Sequence, residues 1–359
     1  MIDQLAEVFD LYQEPVIICR HKKIVYCNAA SAMFPEQELL KATRDILPAA
    51  ETGNGSAKAF LSSVSVDGKS YDAVVSRTAD GDVFRFLIDR DIKGDVELLS
   101  TVSIAVKNAL SVFQMASGYV VGRVENSGDE KLNRYLAMMN HSFYAVSHLT
   151  DSISRLGTVI GGNMVLEKSV FDLSALCEEL AQSIFGVTVK NGIGSSFTDR
   201  CGKLLLCGDR EKLEEALLCL LANSMKATQP GGRVLLTLKK AGDRALITVS
   251  DNGYGIPPEE LADVFRRYQH PQRLDKPESG LGVGLSFVRQ VAMCHGGNLI
   301  LDSRENAGTN VTISIPIRET ETTTLRTAMV SYHRPENTRI LTELADVLDS
   351  GCYTAEFLD

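Results

Sequence analysis

Apolar and polar positions change period three times along the chain. Up to about residue 92 the apolar runs are short and bounded by turns. An amphipathic start (Leu5, Val8, Phe9, Tyr12) leads into Pro15–Cys19. The basic turn Arg20–Lys23 separates that run from Ile24–Cys27, a hairpin pattern. Tyr71–Val75 and Val83–Ile88, split by Ala79-Asp80-Gly81-Asp82, predict a second hairpin. With short helices between them, residues 1–92 read as a small mixed α/β unit.

Residues 93–160 follow a helical period. Leu99, Val102, Val106, Ala109 and Phe113 recur at alternating spacings of three and four, a narrow seam of the coiled-coil type. A stretch from Gly122 to Gly128 interrupts it. A second helix then carries Leu132, Leu136, Met139, Phe143, Val146, Ile153 and Leu156 on one side. The two predict an antiparallel hairpin. Alone it would expose its seams, so pairing with a second copy into a four-helix bundle is expected.

Residues 161–318 alternate helical patterns (173–184, 209–228, 258–268, 285–295) with strand patterns (234–239, 246–250, 298–303, 310–316). They predict an α/β sandwich, one helical layer on a mixed sheet. Residues 319–359 open with a Thr-rich linker and close on an amphipathic helix (Ile340, Leu341, Leu344, Val347, Leu348). The fold class is α+β, multidomain.

Composition narrows the partners. The 359 residues carry a net charge of −9, which argues against nucleic acid as the main partner. No apolar run approaches the ~18 residues of a membrane span, and the N-terminus lacks the basic and apolar blocks of a secretory signal. The eight cysteines contain no C-x-x-C pair, as expected for reduced thiols in the cytoplasm.

Candidate chemistry lies in the third unit as four ordered elements. On the helix Asp209–Thr228, Cys219, Asn223 and Lys226 share a face. An Asn carbonyl suits Mg²⁺, and a Lys one turn on suits phosphate. A strand then delivers Asp251, with Gly253 and Gly255 allowing a tight turn against a flat ligand. Phe265 sits in Val264–His270. Gly280, Gly282 and Gly284 precede a helix whose first N–H groups can hold phosphate oxygens. Singly, each has a commoner structural role: a loop glycine, a turn aspartate, a core amide, a solvated lysine. No P-loop pattern is present.

In this order the four elements resemble the N, G1, F and G2 boxes of the GHKL class, the ATP-binding domain shared by sensor histidine kinases, gyrase B, Hsp90 and MutL. The histidine kinase branch is the most similar, and Gly308–Ile317 resembles its last strand. The resemblance implies a Bergerat-type sandwich binding Mg-ATP. Asn223 would meet Mg²⁺ and the phosphates, Lys226 phosphate, and Asp251 the adenine amino group. Gly253 and Gly255 would pass under the base, Phe265 would anchor a lid, Gly280, Gly282 and Gly284 would clasp phosphates, and Thr309 would support the adenine site. It also implies a homodimer through residues 93–160 and a response-regulator or other signalling partner. "YCNAAS", Tyr26–Ser31, after the second strand makes the first unit similar to a PAS sensor domain.

Three positions depart from the kinase pattern. In Ser103–Leu110, Ile104 stands where the family carries its phosphoacceptor His, and Ala105 where it carries an acid. Ile has no lone pair to attack a phosphate, and Ala is no base. The six histidines are 21, 141, 148, 270, 295 and 333, so the first helix has none. The expectation is a degenerate kinase that signals by ATP-dependent conformation. The alternatives are an active kinase using an atypical His or a substrate in trans, and a GHKL ATPase. His141 and His148, off the seam, read as solvated, with displaced acceptors as the alternative. His295 reads as a cation at a helix C-terminus. Cys219, where histidine kinases carry Asn and hydrolytic relatives carry Glu, is a poor general base.

Overall fold

The structure, a computed structural model, describes residues 9, 14–20, 23–34, 59–66, 69–78, 81–87, 103, 106–111, 113, 130–162, 164–261, 264–265, 282–317, 336–348 and 350–353. Ile104, Ala105, Gly280, and His21, His270 and His333 lie outside them.

The N-terminal strands are β1 (Val16–Arg20), β2 (Lys23–Cys27), β3 (Ala59–Val66), β4 (Lys69–Thr78) and β5 (Gly81–Leu87), all antiparallel in the order β2-β1-β5-β4-β3. Both expected hairpins are present; β3 is a strand that the apolar pattern did not mark. Asn28 follows β2, and its side-chain oxygen accepts from the N–H groups of Val16 (2.9 Å) and Ser31 (3.2 Å). One buried amide thereby ties the start of β1 to the turn after β2.

α1 (Glu130–Gly161) is the longest helix among the described residues. Ser103, Val106–Ser111 and Phe113 are helical and run antiparallel to it: the Ser103 hydroxyl donates to the Thr150 carbonyl, Lys107 pairs with Asp151 at 2.8 Å, and Phe113 stacks on Phe143. The faces differ from the expected seams. Ala109 and Phe113 remain exposed while Ser103 is buried, and on α1 Leu132 and Val146 are exposed. The buried side of α1 includes Asn140, Ser147, His148 and Arg155. A polar face is buried here because the C-terminal segment lies on it and supplies partners, which the spacing of apolar residues cannot reveal.

The C-terminal unit contains β6 (Ser169–Asp172), α2 (Leu173–Lys190), β7 (Gly194–Asp199), β8 (Leu205–Gly208), α3 (Arg210–Ala227), β9 (Arg233–Ala241), β10 (Arg244–Asp251), α4 (Pro258–Leu261), α5 (Gly284–Cys294), β11 (Asn298–Arg304) and β12 (Gly308–Pro316). Strands β11-β12-β10-β9-β7 form a mixed sheet, with β7 parallel to β9. Ala245, Ile247, Val249, Leu299, Leu301 and Ile313 share one hydrophobic core with α2, α3 and α5. Asp172 and Asp209 start α2 and α3 by accepting backbone N–H groups of the first turn. β6, β7 and β8 were not read from the pattern; they are short, and β7 (GSSFTD) is mostly polar.

β11 pairs with β3 through Ile300↔Ser62 and Leu301↔Leu61, so ten strands form one sheet. Each of these strands would otherwise be an edge with unpaired backbone groups. Ile300 is buried in the N-terminal apolar cluster with Ile17, Phe84 and Phe86.

α6 (Glu336–Glu343) and the turn after it pack Ile340, Leu341, Leu344, Leu348 and Tyr353 into the main core. His295 is not the expected cation. It is buried, its Nε2 accepts from the Asp209 N–H at 2.9 Å, and its Nδ1 is 2.7 Å from the Val291 carbonyl. This pattern needs the neutral ring, and burial lowers its pKa.

Candidate functional site

The site forms where the C-terminal half of α3, the end of β10, the start of α5 and the start of β12 meet. α3 turns its apolar side to the core and leaves the Asn223 side chain exposed. The Asn223 amide lies 3.9 Å from Cys219 Sγ, one turn back. β10 ends at Asp251, whose Oδ1 accepts from Gly253 N–H at 3.0 Å and Thr309 N–H at 3.2 Å. The Ser224 hydroxyl also hydrogen-bonds this carboxyl. Burial raises the Asp251 pKa, and these bonds only partly offset it.

The glycines fit where a side chain cannot. A Cβ on Gly253 would lie 2.1 Å from the Ala227 carbonyl oxygen, which brings the β10 loop against the end of α3. Gly255 has φ +65°, and its Cβ would meet the Arg304 carbonyl at 2.0 Å. Ser303 supports this turn: its hydroxyl accepts from Ile256 N–H at 2.8 Å and pairs with Thr309 Oγ1 at 2.9 Å.

On the far side, Gly282 has φ +66° and Gly284 opens α5, whose preceding residue, Val283, makes no side-chain cap. A Cβ on Gly284 would lie 2.6 Å from Cys219 Sγ and 3.6 Å from the Asn223 amide nitrogen. The glycine motif and the Asn223 helix are therefore in direct contact. Phe265 is buried under the Arg289 guanidinium, and its carbonyl accepts from the Ser286 hydroxyl at 2.5 Å, tying the Phe265 turn to α5. Gly284→Ala is expected to destabilise the unit by about 1–3 kcal/mol through overpacking against Cys219. Urea denaturation checks this, and adding Cys219→Ala should restore most of the loss.

Of the residues expected at the site, Asn223, Asp251, Gly253, Gly255, Gly284 and Thr309 come together, with Phe265 and Gly282 bordering them. Lys226 is engaged elsewhere: its ammonium pairs with Asp346 at 2.9 Å. Burial pushes the Cys219 thiol up to about 12, so it holds its proton and cannot act as a base near neutral pH. Ser224, Ser286 and Ser303 were missed. Ser224 directly follows Asn223 and carries no motif of its own; Ser286 and Ser303 have no local signal, since their partners are 21 and 47 residues away. Neither His141, which is half-buried, nor His148, which is buried, is the fully solvated side chain expected. The His141 ring bonds the Ala345 carbonyl at 3.0 Å, and His148 is buried beside Glu343 and Asp346.

Residues 208–319, which hold Asn223, Asp251, Gly253, Gly255, Phe265, Gly282, Gly284 and Thr309, match the family model of histidine kinase-, DNA gyrase B- and HSP90-like ATPases. This segment is a histidine-kinase-like GHKL ATPase domain. Relatives extend the similarity upstream of it. The histidine protein kinase DivJ of Caulobacter vibrioides is 25% identical over 224 residues, covering 62% of this chain and 38% of DivJ. The circadian input-output histidine kinase CikA of Synechococcus elongatus is 27% identical over 228 residues, 61% of this chain and 30% of CikA. The chain thus spans about a third of the length of these curated relatives. Among solved structures, full-length ShkA in complex with AMPPNP shares the fold, with a TM-score of 0.50 at 21% identity over 62% of this chain and 46% of that one.

The donor set of the ATPase domain suits a purine triphosphate with Mg²⁺. A carboxylate fixed by two backbone N–H groups is an acceptor for an amino group, and an exposed amide carbonyl is a hard oxygen ligand. No helix among the described residues is long and apolar enough to cross a membrane.

Proposed function

We propose that the chain is a two-component-type signalling protein whose ATPase domain binds Mg-ATP through Asn223, Asp251, Gly253, Gly255, Gly280, Gly282, Gly284 and Thr309, with Phe265 anchoring the lid. The carrying observation is the Asp251 carboxyl, oriented by Gly253 and Thr309 N–H groups beside the Asn223 helix. Mg²⁺ would neutralise phosphate charge at Asn223. Asp251 would accept from the adenine amino group, and Lys226, once released by Asp346, would face phosphate.

The chain is a degenerate kinase in this reading. Ile104 and Ala105 replace the acceptor and its assisting acid, and no His precedes residue 141 in the region 93–160. A nucleotide-dependent change in packing between the ATPase domain and α1 then carries the signal, which needs only a few kcal/mol of differential affinity. The contact exists: Arg155 of α1 sits 5.3 Å from the Phe287 ring of α5.

The remaining architecture follows the same reading. The strand order β2-β1-β5-β4-β3 and the Asn28 turn support a PAS-like sensor over 1–92. Residues 93–160 are the dimerisation hairpin, 161–318 the GHKL unit and 319–359 a linker with a terminal helix. Leu132, Tyr135, Met138, Val146 and Leu149 leave an apolar line exposed along α1, which favours a homodimer. The output partner is a response regulator or another signalling protein.

Titration of the full chain with Mg-ATP and Mg-ADP, read by thermal shift and intact mass, tests the proposal. At a hundredfold excess over Kd, ATP should stabilise the chain by about 2.7 kcal/mol, with no added phosphate. Absence of any magnesium-dependent shift overturns the nucleotide site. Stable labelling from γ-labelled ATP, lost in a His141/His148 double variant, would establish the active-kinase reading instead.

A further inference from the structure

The segment 336–353 bridges α1 and α3, and its contacts divide into two halves. Ile340, Leu341, Leu344, Leu348 and Tyr353 anchor it in the main core. Its polar side chains reach outward to both helices. Arg339 pairs with Glu214 of α3 at 2.9 Å, and Glu343 holds Arg155 of α1 at 2.6 Å. Asp346 is shared: His148 of α1 is 3.3 Å from its carboxylate and Lys226 of α3 is 2.9 Å away.

We propose that residues 336–353 are an intramolecular latch, in which Asp346 competes with the phosphates of a bound nucleotide for Lys226 while the segment holds the ATPase domain against α1. The inference rests on the nucleotide reading above and adds its regulation. A phosphate group approaching the Lys226 ammonium meets a carboxylate already there. It must displace Asp346 or bear its like charge at close range. The neighbouring His148 imidazole and Lys226 hold the Asp346 carboxyl far below the usual carboxylate range, so the competitor stays charged near neutral pH.

Occupancy of the site then weakens the polar half of the latch. Releasing Lys226 also strands Asp346 beside Glu343, with His148 between them and Arg155 on the far side of Glu343. The apolar half resists undocking, so the two states differ by a modest free energy that ligand binding can tip. The same contacts cover His148, which becomes accessible only when the segment leaves, and bond the half-buried His141.

The test uses the full chain as wild type, Asp346→Asn and Asp346→Glu, titrated with Mg-ATP and with adenosine by calorimetry. Asp346→Asn should bind Mg-ATP about two- to fivefold more tightly than wild type, the scale of a partly exposed ion pair. Asp346→Glu should stay near wild type, and adenosine, which has no phosphates, should bind all three alike. In wild-type protein, Mg-ATP should speed hydrogen exchange at residues 340–348. Equal Mg-ATP affinity in wild type and Asp346→Asn, an equal gain for adenosine, or unchanged exchange overturns the latch and leaves the nucleotide site standing. Binding by none of the three removes the nucleotide reading, and the latch with it.

Discussion

Replacing Asp251 with Asn is expected to remove most ATP binding and leave the folded domain at least as stable as before. Oδ1 of Asp251 accepts from Gly253 and Thr309 N–H groups, and an Asn carbonyl in that place can accept both. The second oxygen becomes an NH₂ group. Facing an adenine amino group it sets donor against donor, a mismatch of about 1–3 kcal/mol or about 5- to 150-fold in affinity. Stability moves the other way. Burial raises the Asp251 pKa above its ordinary 3.8, so the folded chain holds the proton more tightly than the unfolded chain does. Stability therefore falls as pH rises from 3.8 through the raised value, and at neutral pH the ionised carboxylate is a net cost. Asn carries no such penalty. Calorimetry with Mg-ATP, paired with thermal denaturation of the ligand-free chain, checks both halves; unchanged affinity would mean that Asp251 does not meet the base.

The largest stability loss is expected from Arg155→Met. Arg155 is buried on α1 and donates to both oxygens of Glu343, at 2.9 and 2.6 Å, and to Glu215 at 2.9 Å. Burial alone would lower its pKa, but the Glu343 charge and hydrogen bonds outweigh burial and raise it. Met keeps most of the packing volume over Phe287 and removes the charge. Glu343, only 7% exposed at its side chain, is then left without its main partner. Breaking a buried pair from one side typically costs about 3–5 kcal/mol. Glu215 is less affected, because it is more exposed and keeps Lys212 at 3.2 Å. The double variant Arg155→Met/Glu343→Leu should recover most of the loss, since no buried charge is stranded. Urea denaturation of the three proteins measures this, and a single-variant loss under about 1 kcal/mol would show that water reaches Glu343.

The candidate site was legible in outline because its residues are grouped in the chain. Asn223 and Lys226 share one helix, Asp251, Gly253 and Gly255 one strand end, and Gly282 and Gly284 one helix start. Each group carries a local physical requirement, and the order of the groups along the chain carries the resemblance to the GHKL class. The serines were not legible in this way. Ser303 matters because β11 lies beside the Gly255 turn, and Ser286 because α5 lies beside Phe265. Neither relation leaves a trace in the neighbouring residues.

The seams of the helical region show the same limit. A period of three and four finds apolar sides, yet it cannot say whether the other side meets water or another segment. On α1 the polar side, with Asn140, His148 and Arg155, meets residues 336–353, nearly two hundred positions later. Sequence by itself determined the main helices and strands of the C-terminal unit other than β6, β7 and β8, its ordered motifs and the missing histidine before residue 141 in the helical region. Tertiary structure alone decided that Lys226 faces Asp346, that His295 is neutral and that β3 joins β11. Ion pairs and strand edges are satisfied by whichever groups the fold brings within a few ångströms, and that proximity is a property of the packed chain rather than of any stretch of it.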